Sequence, residues 1–377
     1  MPNASRIPGT SRRSFLQFSA LASAAAASAP IWTEPLLAGA YGKTFPTDAV
    51  MINLNENPLG PCESARQASI KVTPQGGRYL TSLTAELTKT FAEAEGLKPE
   101  YLRPFPGSSD PLHYSVLAFT SPTKSYVTAD PAYETGMRSA KVAGARVVRI
   151  PLTPKIYTHD VKAMLAAGPD AGMFYICNPN NPTGTLTSHS DIEYVVANKP
   201  KDSVVMVDEA YIHFSDAETA LDLVKADKDV IVLRTFSKIY GMAGMRAGFA
   251  IARPDLLAKI EPFAGTRYMP ITAAAAATAS LREATLVSER KQINANTRQD
   301  LFHWLDQKGF TYTPSQANFF MIETKRPAKE TIDALVERNV FIGRVFPALP
   351  THVRVTVGTP AEMASFRGAF EQVTKQG

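Results

Sequence analysis

Cysteine is scarce in this 377-residue chain: Cys62 and Cys177 are the only two and lie far apart. No disulfide framework can therefore hold the fold, although an oxidising compartment would permit a bond if the two thiols meet. Cys177 closes an apolar run and reads as a packed thiol. The six histidines form no cluster with metal-ligand spacing, so no metal is expected. No apolar run reaches the roughly 20 residues that a membrane-spanning helix needs. The chain also lacks internal repeats, and its net charge is only +5. Residues 1–40 supply +2 of that, Arg6, Arg12 and Arg13 against Glu34, which leaves +3 for the remainder. Such a small, dispersed excess argues against a nucleic-acid surface, and no helix-turn-helix module precedes the core. What is present is 45% hydrophobic content over a length sufficient for two domains around a large core.

The densest chemistry lies in Thr235-Phe236-Ser237-Lys238-Ile239-Tyr240-Gly241, followed by Arg246. One lysine stands among hydroxyls, with an arginine eight residues on. The apolar run Val230–Leu233 leads into it through Arg234. Two further runs of the kind that form buried parallel strands are Val204–Val207, which delivers Asp208, Glu209, Ala210 and Tyr211, and Met173–Cys177, which ends in Asn178-Pro179-Asn180-Asn181-Pro182-Thr183-Gly184. In open α/β sheets ligands sit at the carboxyl ends of strands, so three strand ends converge on one pocket.

An amine able to form a Schiff base, beside groups that can hold a phosphate, is what pyridoxal phosphate requires. Asp208 suits the pyridine nitrogen, whose protonation makes the ring an electron sink, while Tyr211 and Asn181 can hydrogen-bond the ring's 3-oxygen. Lys238 would carry the cofactor and, once displaced by a substrate amine, move a proton between the α-carbon and C4′. For the phosphate, Gly107-Ser108-Ser109-Asp110 precedes an expected helix near Pro111, whose first amides favour a dianion. Thr235, Ser237 and Arg246 complete that shell, the arginine binding two oxygens in a fork. Tyr133, after the strand-like Ser125–Thr128, is placed to stack on the ring.

The ordered set Asn55-Glu56-Asn57-Pro58, Arg78-Tyr79, Gly107-Ser108-Ser109-Asp110, Pro131-Ala132-Tyr133, Asn181-Pro182-Thr183-Gly184, Asp208-Glu209-Ala210-Tyr211, Ser237-Lys238 with Arg246, and Arg354 resembles the class I/II aminotransferases of fold type I, closest to the histidinol-phosphate aminotransferase branch. The likeness runs from about residue 50 to the C-terminus. It implies an α/β fold: a large domain with a mostly parallel seven-stranded sheet between helices, and a smaller α+β C-terminal domain. It further implies that Arg354 pairs with the substrate α-carboxylate, that Asn57 and Arg344 are additional substrate contacts, and that Tyr79 reaches the cofactor phosphate of a neighbouring subunit in a homodimer. The implied activity is a two-half, ping-pong transfer of an amino group between an amino acid or related amine and a 2-oxo acid. A decarboxylase, β-lyase or racemase on the same cofactor stays open, since the choice depends on which α-carbon bond stands perpendicular to the ring. A non-catalytic periplasmic binding protein is the alternative of another class.

The N-terminus departs from a plain biosynthetic enzyme. Ser11-Arg12-Arg13-Ser14-Phe15-Leu16-Gln17 precedes a mild, alanine-rich apolar run from Phe18 to Ala29 and resembles a twin-arginine export signal. Ala38-Gly39-Ala40 offers a cleavage site before Tyr41; Ala27-Ser28-Ala29 is a poorer one because Pro30 follows. The expected partner is the twin-arginine machinery and the expected location periplasmic or otherwise exported. The organisation read from the chain is a leader over 1–40, an arm over 41–69 that packs on the small domain or a partner subunit, a large cofactor domain over 70–262 and a small domain over 263–377. Expected helices include 83–95, 160–167, 191–198, a start within the alanine run 272–281, 294–308 and 328–338, with small-domain strands at 319–323 and 353–357.

Overall fold

Alternation of side chains along the central strands decides the architecture. In the computed structural model, which describes residues 46–265 and 268–375, eleven strands are present: β1 (Val50–Met51), β2 (Leu102–Phe105), β3 (Ser125–Asp130), β4 (Val147–Pro151), β5 (Ala171–Cys177), β6 (Val204–Asp208), β7 (Val230–Thr235), β8 (Gly248–Ile251), β9 (Phe319–Glu323), β10 (Val340–Phe341) and β11 (His352–Thr356). The leader expected over 1–40 and its cleavage site lie outside the described residues. Seven strands form one sheet in the order β2-β8-β7-β6-β5-β3-β4. Only β8 opposes its neighbours; the other contacts are parallel.

Alternate residues of these strands enter two separate cores. Phe174, Ile176, Val205, Val207, Val230 and Val232 pack on one face; Met173, Tyr175, Met206, Ile231 and Leu233 pack on the other. The sheet is therefore covered on both sides, which is why its strands read as continuous apolar runs. Helices Glu63–Val72, Thr81–Glu95 and Ile271–Leu281 join the first core, and Ser109–Phe119, Thr135–Val142 and Pro254–Ala264 the second. The alanine-rich helix, which the sequence places with the small domain, thus contributes Ala273, Ala274, Ala276 and Ala277 to the core of the large sheet.

A third core gathers Ile52, Leu301, Leu305, Phe320, Ile322, Val353, Val355, Phe366 and Phe370. Over it β9 and β11 pair antiparallel, and β1 pairs parallel with β10, so the segment after residue 48 is tied to the C-terminal elements. Among the described residues no helix is long and apolar enough to cross a membrane.

Three sheet strands, β2, β4 and β8, are not singled out by pattern. Pro104 interrupts β2, which is tolerable because β2 is an edge strand; β4, the opposite edge, is half-exposed. The helix expected over 294–308 begins at Leu286, since its first half buries Arg290 and Asn294 where an apolar stripe would have marked it.

Candidate active site

Sheet register brings the chemistry together. Cys177 lies opposite Asp208, and Asp208 opposite Leu233, so the segments leaving β5, β6 and β7 emerge side by side. Thr235 pairs with Gly248, and Gly248 with Phe105, which places the loop after β2 next to the lysine segment.

Asp208 is 4% exposed, and burial lifts its pKa to about 6. Tyr175 donates to its Oδ2 at 2.8 Å and the Ala210 amide to its Oδ1 at 3.2 Å; these bonds and the nearby Lys238 ammonium pull the other way. Lys238 Nζ lies 5.4 Å from the centre of the Tyr211 ring and donates to the Leu54 carbonyl at 3.3 Å. Burial raises the Tyr211 phenol, so it stays protonated, and Asn55 Nδ2 donates to its oxygen at 3.3 Å.

Arg354, 5% exposed, donates from Nη1 to Asn181 Oδ1 at 2.8 Å and from Nη2 to the Asn53 carbonyl at 2.7 Å. That contact fixes the Asn181 amide and leaves its NH2 as the donor for a ligand. Gly343 donates its amide to the Arg354 carbonyl at 2.8 Å, so Arg344 stands one residue from the same strand.

The anion cradle is equally compact. Thr235 Oγ1 donates to Ser237 Oγ at 3.0 Å, and Arg246 Nη1 to Ser237 Oγ at 3.3 Å. Gly107 has φ +92°, and a Cβ there would overlap the Arg246 guanidinium. Arg246 itself holds φ +68°, a left-handed backbone that arginine adopts only under constraint. Ser108 precedes the helix Ser109–Phe119, Asp110 sits in its first turn, and Ser109 Oγ is 3.4 Å from the Tyr133 hydroxyl. A guanidinium, two hydroxyls and a helix start, with a glycine where any side chain would intrude, fit a phosphate dianion. A buried carboxylate, a phenol and an amide donor beside Lys238 fit the ring of pyridoxal phosphate.

Three expected residues stand apart from this cluster. Asn57 serves the framework: its Nδ2 donates to the Ile239 carbonyl at 3.0 Å and its Oδ1 accepts from the Leu59 amide at 3.1 Å. Tyr79 is 67% exposed and stacks on Tyr268 with ring centres 4.0 Å apart. Arg344 pairs with Glu134 at 2.9 Å. Conversely, sequence reasoning gave no role to Asn55 or Tyr175. The left-handed φ of 55° that turns Asn55 inward is one signal, since asparagine tolerates it; Tyr175 looked like any core aromatic.

Sheet, strand-end site and anion cradle define a cofactor-dependent α/β enzyme. The profile of aminotransferase class I and II matches residues 47–370. The chain is 33% identical over 335 residues to the histidinol-phosphate aminotransferase of Symbiobacterium thermophilum, covering 88% of this chain and 92% of that one. It is 31% identical over 333 residues to that of Moorella thermoacetica, covering 86% of each. The fold matches the crystal structure of histidinol-phosphate aminotransferase from Sinorhizobium meliloti in complex with pyridoxal-5'-phosphate at TM-score 0.81 and 24% identity, over 93% of this chain and 96% of that one. The chain belongs to the class I and II aminotransferases, which are pyridoxal phosphate-dependent transaminases.

The raised Asp208 pKa has a measurable sign. Burial penalises the charged form, so the cost is absent below about pH 4, grows as pH rises and is complete above pH 6. A rise from 3.8 to about 6 corresponds to on the order of 3 kcal/mol. Asp208→Asn is therefore expected to stabilise the cofactor-free protein by that order at pH 7 and by nothing at pH 4, read from denaturant midpoints, while abolishing transamination.

Proposed function

We propose that Lys238 is the amine that anchors the cofactor and carries the proton, and that the enzyme transfers an amino group between a free amino acid, or a related amine, and a 2-oxo acid in two half-reactions. When bound, pyridoxal phosphate supplies an aldehyde that captures amines and a protonated ring that accepts the electron pair released at the substrate α-carbon. Asp208, as a carboxylate, holds the proton on the ring nitrogen; Tyr211 and Asn181 donate to the 3-oxygen. Ser108, Ser109, Thr235, Ser237 and Arg246 neutralise the phosphate, and Tyr133 covers the ring. Arg354 receives the substrate α-carboxylate in a fork, which turns the α-hydrogen toward the Lys238 amine. The observation that carries this reading is the convergence of Lys238, Asp208, Tyr211 and the Asn181–Arg354 pair at three adjacent strand ends.

The relatives are histidinol-phosphate aminotransferases. An exported enzyme would have no part in cytoplasmic histidine synthesis, so the donor proposed here is a free amino acid, a secondary-metabolite precursor or a modified peptide. Export itself is proposed from Arg12-Arg13 and the apolar run after them, a route for folded proteins that suits an enzyme loaded with cofactor before it leaves. A homodimer is proposed because exposed Tyr79 and Tyr268 form an aromatic surface beside the opening of β2.

Lys238→Ala is expected to lose the visible cofactor band and all release of 2-oxo acid while keeping its far-ultraviolet circular dichroism; a persisting band would place the reactive amine elsewhere. Replacing Arg12 and Arg13 by lysine should leave the protein in the cytoplasmic fraction, whereas unchanged fractionation would refute the export signal. Sedimentation of the mature holoenzyme should give a dimer, and a fully active monomer would count against the role of Tyr79.

A further inference from the structure

One charged cluster beside the site has no part in holding the cofactor or the α-carboxylate. Glu134 follows Tyr133, and its Oε2 lies 2.9 Å from Arg344 Nη2 and 3.2 Å from Arg138 Nη2. Arg344 Cζ stands 4.2 Å from the Phe346 ring centre, and Arg354 Cζ lies 5.4 Å from the same centre. Phe346 is thus a spacer between two guanidiniums. Arg354 donates to the Asn181 side chain and the Asn53 carbonyl, whereas Arg344, its side chain 13% exposed, pairs with a carboxylate of its own chain. A second Arg344 bond, from Nη1 to the Val345 carbonyl at 3.1 Å, keeps the guanidinium turned toward the backbone. Arg138 shares the same Glu134 oxygen and holds that carboxylate in place.

We propose that Glu134 is a specificity-determining residue: by occupying Arg344 it closes the side-chain end of the substrate pocket to carboxylate and phosphate groups, so the preferred amino donor carries an uncharged side chain. This rests on the reading of Arg354 as the α-carboxylate anchor, because an amino acid held there directs its side chain past Phe346 toward Arg344. An anionic side chain arriving at Arg344 meets the Glu134 carboxylate at close range in a partly desolvated site, or must displace it and leave it to Arg138 alone. An amide or an apolar group meets neither cost. The selectivity is built from repulsion against the wrong substrate as much as from attraction for the right one.

The test compares L-glutamate with L-glutamine, equal in length and differing by carboxylate against amide, in the first half-reaction of the holoenzyme followed by the cofactor's absorbance. The unmutated enzyme should favour glutamine in kcat/KM. Glu134→Gln should raise the glutamate-to-glutamine ratio at least tenfold, and adding Arg344→Gln should return it. A ratio unmoved by Glu134→Gln, or an unmutated enzyme that favours glutamate, overturns the proposal. Arg354→Gln separates the two levels: it should slow both donors alike, and its failure to do so sinks the α-carboxylate reading and this inference with it. An independent arm needs no variant. Glutarate should inhibit the unmutated enzyme more weakly than its monoamide, and the reverse order would also overturn the proposal.

Discussion

A carboxylate buried at the end of a central strand is the constraint on which the rest of the site depends. Asp208 would prefer water, and the sheet denies it. Tyr175 from β5 and the Ala210 amide offset part of that cost, and the Lys238 ammonium adds a smaller share. In the proposed site a cationic ring nitrogen would complete what these groups begin, and the cost of an unfavourably charged aspartate would become affinity for a protonated heterocycle.

The neighbouring residue shows how that placement is enforced. Glu209, 1% exposed, accepts from Arg234 Nε at 2.7 Å, from Thr219 Oγ1 at 2.8 Å and from the Ala220 amide at 2.7 Å. Arg234 also donates to His213, which burial keeps neutral with a pKa of about 3. This network joins the ends of β6 and β7 and ties the position of Asp208 to that of the Thr235–Lys238 segment. A buried ion pair of this kind contributes geometry more than stability, since desolvation cancels much of its attraction.

The sequence carries the centre of the molecule better than its margins. β5, β6 and β7 are legible because both faces are covered, and Lys238, Asp208, Asn181 and Arg246 are legible because each follows such a run or shares its turn. β2 hides behind Pro104, and the first half of the helix Leu286–Lys308 hides behind buried Arg290 and Asn294. At the site, the motif Asn55-Glu56-Asn57-Pro58 offers two asparagines and nothing in composition ranks them; only backbone handedness sends Asn55 to Tyr211 and Asn57 to the Ile239 carbonyl. Glu134 is invisible for another reason: its partner Arg344 is about two hundred residues distant, and only the fold makes them neighbours.

Gly107 and Arg246 are joined in a way that limits how this chain can vary. The guanidinium rests where the first carbon of any side chain at position 107 would stand, and the backbone at 107 is one that glycine alone adopts without strain. Alanine or serine at 107 would push the arginine's guanidinium out of its present place. Position 107 is therefore held to glycine for as long as position 246 keeps its arginine in this place.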